Sequence, residues 1–227
     1  IDFYKECKAN DVKPIIGCEV YVAPRKMVDK EAGVDTRYNH LILLCKNMQG
    51  YHNLCKLVSL GFTDGYYYKP RIDKEVLEKY HEGLICSSAC LAGEVASNIM
   101  QGDYEKAKES ALWFKSIFGD DYYLEIQNNG IKEQVLVNQK LIQMSRETGI
   151  PLVATNDSHY LKKEDAYNHE VLLCIQTGKK MSDEDRMKFG SDELYIKSPE
   201  EMIEYFRAVP EAIENTVKIA EECNVEF

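Results

Sequence analysis

Short strand-like runs alternating with helix-like stretches constrain this chain most. Runs rich in β-branched and apolar residues fall at 15–22, 40–45, 83–87, 122–126 and 152–155. Helical patterns fill the gaps at 51–60, 74–80, 94–100, 104–118 and 132–148. Strand-helix alternation at this spacing predicts an α/β fold built on a mostly parallel sheet or barrel. The punctuation agrees. Asp103 after Gly102 is placed to cap the helix that ends near Gly119, and Gly149-Ile150-Pro151 stops another helix just before the next strand. After His159 the rhythm changes to a helix at 164–175, a polar stretch at 177–185, a short extended segment at 193–196 and helices at 199–207 and 210–223. The last two carry Pro in their first turn, where its missing N–H is harmless. The reading is one barrel domain over 1–177 followed by a helical connector over 178–227.

The 227 residues suffice for one sizeable core, and 29% charged with 44% hydrophobic residues describes a soluble globular protein. No apolar run approaches the roughly 20 residues that span a bilayer, so no membrane partner is expected. The eight cysteines include no C-x-x-C pair, which favours reduced thiols and a cytoplasmic location. The net charge of −10 is uneven: residues 181–227 hold 13 acidic and 5 basic side chains, and the rest is nearly neutral. With no long basic stripe, a nucleic-acid partner would have to be held largely by metal ions or neighbouring domains. The start, Ile1-Asp2-Phe3, and the end, Asn224-Val225-Glu226-Phe227, read as cuts within something longer.

Side chains that bind metals stand near the predicted strand ends. Glu19 follows Ile15-Ile16-Gly17-Cys18, and Asp157-Ser158-His159 follows the run at 152–155. Residues 157 and 159 share strand parity, so they project together if the extended geometry continues. A carboxylate and an imidazole so placed suit a divalent ion, and in a β/α barrel the strand ends carry the chemistry. His40 stands before Leu41-Ile42-Leu43, and Cys90 lies between a strand and a helix whose N-terminus would favour a thiolate. Each has a plain alternative: a surface pair for Asp157 and His159, an edge carboxylate for Glu19, a capping residue for His40, a packed thiol for Cys90. His169-Glu170-Val171-Leu172-Leu173 lacks the second histidine of H-E-x-x-H, and Thr177-Gly178-Lys179-Lys180 lacks the earlier glycine of a P-loop. Tyr66-Tyr67-Tyr68-Lys69-Pro70-Arg71 mixes aromatics with cations and suits either single-stranded nucleic acid or a loop folded on its own domain.

Taken in order, Lys13-Pro14-Ile15-Ile16-Gly17-Cys18-Glu19-Val20-Tyr21-Val22, Asn39-His40-Leu41, Lys69-Pro70-Arg71-Ile72-Asp73, Ala89-Cys90-Leu91-Ala92-Gly93-Glu94 and Ala154-Thr155-Asn156-Asp157-Ser158-His159-Tyr160 resemble a known family. It is the polymerase-and-histidinol-phosphatase (PHP) domain that opens the alpha subunit of bacterial DNA polymerase III. The similarity continues through Ser198-Pro199-Glu200-Glu201-Met202 to Cys223-Asn224-Val225-Glu226. The resemblance implies a distorted (β/α)7 PHP barrel, here lacking its first strands, with a metal cluster at the strand ends. Glu19, His40, Cys90, Asp157 and His159 match family metal ligands, with Glu19 bridging. The family's opening H-x-H, a downstream Asp and a T-D-H segment are missing, which implies that a full cluster does not form within these residues and that a barrel edge is left open. The implied activity of the parent is template-directed DNA synthesis, with magnesium on palm carboxylates outside this chain. The PHP part is implied to bind zinc or manganese, or magnesium, and to act as a 3′–5′ exonuclease or as structural support. Implied partners are DNA, dNTPs, the sliding clamp, the clamp loader and a proofreading subunit. A free-standing PHP phosphatase of a small phosphate ester and a non-enzymatic scaffold are the alternatives.

Overall fold

The computed structural model describes all 227 residues. Its strands are β1 (Gly17–Val22), β2 (Asn39–Cys45), β3 (Arg71–Ile72), β4 (Leu84–Ser87), β5 (Tyr122–Gln127) and β6 (Leu152–Thr155). They form one mixed sheet in the order β3-β1-β2-β4-β5-β6, open at both ends. Only β2 runs against the rest: β1 and β4 pair with it antiparallel, whereas β1 with β3, β4 with β5 and β5 with β6 are parallel. The start of β2 therefore lies at the same rim as the ends of the other strands.

The sheet's two faces differ. Val20, Val22, Leu41, Leu43, Cys86, Leu124 and Ala154 point outward into the main core. There they meet α2 (Met48–Thr63), α4 (Glu94–Met100), α5 (Tyr104–Phe118) and α6 (Lys132–Thr148). Asp103 caps α5 by accepting from the Lys106 amide at 3.1 Å, and α6 ends on Gly149 at φ 70°. Both match the expected punctuation. Helices α3 (Lys74–Lys79), α7 (Ala166–Thr177) and α8 (Pro199–Tyr205) lie near segments read as helical, whereas two smaller elements escaped the sequence pattern: α1 (Asp2–Ala9), which buries no residue, and the two-residue β3.

The opposite, concave face is covered only at one end. Ile219 of α9 (Pro210–Glu222) and Cys223 just after it pack on Ile85, Tyr123 and Val153, each the second residue of its strand. Asn215 donates to the Leu152 carbonyl at 2.8 Å and so occupies an acceptor on β6, while the Asn224 amide bonds the Lys46 carbonyl at 2.7 Å. Residues 178–227 thus lie against the sheet through α9 and meet the loop after β6 through Leu194, whose carbonyl accepts from the His159 amide. With the strand starts plugged, the open part of the concave face is the rim where the strands end.

Candidate metal centre

The backbone brings the five sequence candidates to that rim. Glu19 is the third residue of β1 rather than its last, and it pairs with Ile42; Tyr21 pairs with His40. Alternation puts Glu19, Tyr21, His40 and Ile42 on one face. His40 begins its strand, yet the reversed direction of β2 sets it beside Glu19, with 3.2 Å between Glu19 Oε1 and His40 Nδ1. Cys90, in the turn between β4 and α4, approaches the same Nδ1 with its Sγ at 3.6 Å. This turn is held tightly: the His40 amide donates to the Ala92 carbonyl at 3.0 Å, and a Cβ on Gly93 would lie 2.1 Å from the Ser88 carbonyl oxygen.

Asp157 and His159 follow β6. The extended geometry does not continue as parity supposed, because β6 ends at Thr155 and Asp157 takes a left-handed φ of 47°. The two side chains still meet, His159 Nε2 lying 3.5 Å from Asp157 Oδ1. All five candidates line one cavity of about 370 Å³, together with Gln127, Gln134 and Phe189. The donors form two sets, Glu19–His40–Cys90 and Asp157–His159, and no three His, Cys, Asp or Glu side chains are drawn together tightly enough to hold one ion. As chemistry, two carboxylates, two imidazoles and a thiol suit a borderline divalent ion such as zinc.

Their electrostatics are shaped by burial and by one another. Burial pushes its thiol up to about 11, and the carboxylates of Asp157, Glu19 and Glu125 push the same way against a hydrogen bond from the Ala92 backbone. His159 is raised, first by its hydrogen bond to Asp157 and then by Glu19. Its neighbour His169, ring centroid 5.5 Å away, is lowered by burial and by His159.

One functional-looking residue escaped sequence reasoning. Glu125 of β5 is buried in the floor below the rim, in a second cavity of about 340 Å³ that also touches Glu19, Cys90 and Asp157. It accepts hydrogen bonds from Ser87, from Thr155 at 2.5 Å and from Gln127 at 2.9 Å. Burial raises its pKa. These bonds tie β4, β5 and β6 together beneath Asp157. The signal was present: Glu125 and Gln127 share parity and interrupt an otherwise apolar strand. Arg71 behaves in the opposite way. Of the two readings of its segment, nucleic-acid contact or a loop folded on its own domain, this residue follows the second: it is fully buried and donates to the carbonyls of Gly65, Asp35, Met27 and Asp29 at 2.6–3.1 Å.

Residues 1–129 match the family model described as the PHP domain. The chain belongs to the PHP domain family. Curated relatives named DNA polymerase III subunit alpha resemble it along nearly its full length. The Borreliella burgdorferi protein is 53% identical over 225 residues, 99% of this chain and 20% of the relative. The Campylobacter jejuni protein is 48% identical over 237 aligned positions, all of this chain and 20% of the relative. The Deinococcus radiodurans protein is 46% identical over 241, all of this chain and 18% of the relative. The chain thus spans about a fifth of the length of these relatives. No helix is long and apolar enough to cross a membrane.

Proposed function

We propose that this chain is the PHP part of a DNA polymerase III alpha subunit and that its rim cavity is a divalent-metal centre for phosphodiester hydrolysis. One observation carries the second half: Glu19, His40, Cys90, Asp157 and His159, scattered over the sequence, line a single cavity at the strand ends. A zinc or manganese ion held there supplies Lewis acidity toward a phosphoryl oxygen. The protein's own groups do the rest. Glu19 and Asp157 present oxygen donors, and His40, His159 and Cys90 present nitrogen and sulfur. The Glu125 network fixes the strand ends that carry them. Burial raises the Cys90 thiol to about 11, so a bound cation would compete with its proton for the sulfur.

In this reading residues 178–227 lead from the barrel toward the polymerase palm, and the whole protein works on DNA and dNTPs in the cytoplasm. The sliding clamp, the clamp loader and a proofreading subunit are its proposed partners. Magnesium serves the palm, outside this chain. The reading is tested on the gene product that carries this chain, purified with manganese or zinc and given a primer with a mismatched 3′ end. The expected outcome is release of the terminal nucleotide and its loss in Asp157→Ala. No release by the wild type, or equal release by Asp157→Ala, would refute hydrolysis at this centre.

A further inference from the structure

An aromatic and cationic ledge borders the cavity beside His40. Tyr38 stacks on His40 with centroids 6.0 Å apart and planes 4° from parallel, and Tyr21 lies 4.7 Å from Tyr38. The exposed Lys69 hangs its ammonium over the Tyr21 ring at 5.7 Å. Behind this ledge, Arg37 and Asn39 line a third cavity of about 450 Å³ with Arg25, Lys74, Glu94 and Lys106. Four cations face one carboxylate there, in a chain whose Asp and Glu outnumber its Lys and Arg by 38 to 28. Arg25 is committed to Glu31 and Asp35, and Lys74 to Glu94. Arg37 and Lys106 are exposed and outside those pairs.

We propose that this ledge seats single-stranded DNA, with bases stacked on Tyr21 and Tyr38 and phosphates neutralised by Arg37, Lys69 and Lys106. Aromatic rings beside cations that stand outside the acidic pairs suit an unpaired strand, whose bases are available for stacking, better than a duplex, whose bases are already stacked. The seat adjoins His40, so a strand lying on it delivers its end to the rim cavity. The inference rests on the hydrolytic reading for the purpose of the seat, though not for its existence, because binding needs neither metal nor cleavage.

The test is fluorescence anisotropy of a labelled single strand of about 12 nucleotides, a length within the usual range for such sites, titrated with the chain in EDTA. Tyr38→Ala is expected to weaken binding about 5- to 150-fold, the equivalent of one lost base stack, while Tyr38→Phe binds like wild type. Arg37→Ala with Lys106→Ala is expected to lower the slope of log affinity against log salt by about 1.4. Melting temperatures near wild type establish that the variants are folded. No wild-type binding at low salt, wild-type affinity and salt slope in the folded Tyr38→Ala and double variants, or equal affinity for a duplex of the same length would each overturn the seat. Binding without metal-dependent hydrolysis would instead refute the hydrolytic reading alone.

Discussion

At the scale of single residues, Arg71 shows how misleading local sequence can be. Its tyrosine-rich setting left open an exposed cation or a loop folded on its own domain; β3 carries it inward, and its guanidinium gathers three carbonyls from the loop that precedes β2 and one, that of Gly65, from the segment after α2. A planar fork of five donors can serve several acceptors at once, whereas an ammonium cannot match that geometry. Arg71→Leu is therefore expected to destabilise the chain by about 3 kcal/mol or more, because buried acceptors lose charged donors. Arg71→Lys should recover only part of this. Urea unfolding of the three proteins checks both statements, and equal midpoints would refute them. Glu125 teaches the converse. A strand buried on both faces hides which of its polar residues matters until its partners on β4 and β6 are known.

At the scale of elements, helix boundaries were the most legible part. The ranges of α4, α5 and α6 agree with those read from Gly, Pro and Asp punctuation, and so does β6. Strand direction was not legible, because an apolar run looks the same read either way. The reversal of β2 explains why His40, at a strand's beginning, belongs with residues at strand ends. The α5–α6 contact gives a pH prediction. Glu147 of α6 accepts from Lys108 at 2.7 Å and Tyr104 at 3.1 Å on α5, and from Gln143 at 2.8 Å. With Lys108 the main cause, its pKa falls from the ordinary 4.5 to about 2. A depressed carboxylate contributes its stability above the unfolded value and loses it as pH falls through the folded one. Stability should thus drop between pH 4.5 and about 2. Glu147→Gln should flatten that drop, as seen in urea midpoints over the window. An unchanged pH slope in the variant would show that the contact carries no such linkage.

For the whole molecule, the acidic C-terminal stretch is the part whose placement sequence patterning reached least. Composition marked residues 181–227 as distinct, yet α9 packs its apolar side onto the concave face of the sheet and blocks the end opposite the candidate centre. The sequence pattern marked a helix at 210–223 but not the surface that receives it. That choice depends on which part of the concave face the sheet leaves uncovered. The consequence is functional: one end of the concave face is filled, and the other holds the donor side chains. The five candidates were legible as residue types near strand boundaries, and their convergence required the strand order and the reversal of β2.

Metal binding tests the central claim most directly. Because an ion held by the folded chain alone stabilises it by mass action, zinc or manganese at about 100 times its dissociation constant should add about 2.7 kcal/mol. For a chain of this size that corresponds to a rise in melting temperature of about 5–10 °C. Metal content measured after dialysis, alongside the melting curve, should show at least one equivalent bound to the wild type, with both metal and thermal shift lost in Glu19→Gln with Asp157→Asn. A wild type that retains no metal and melts at the same temperature with or without it would contradict the account.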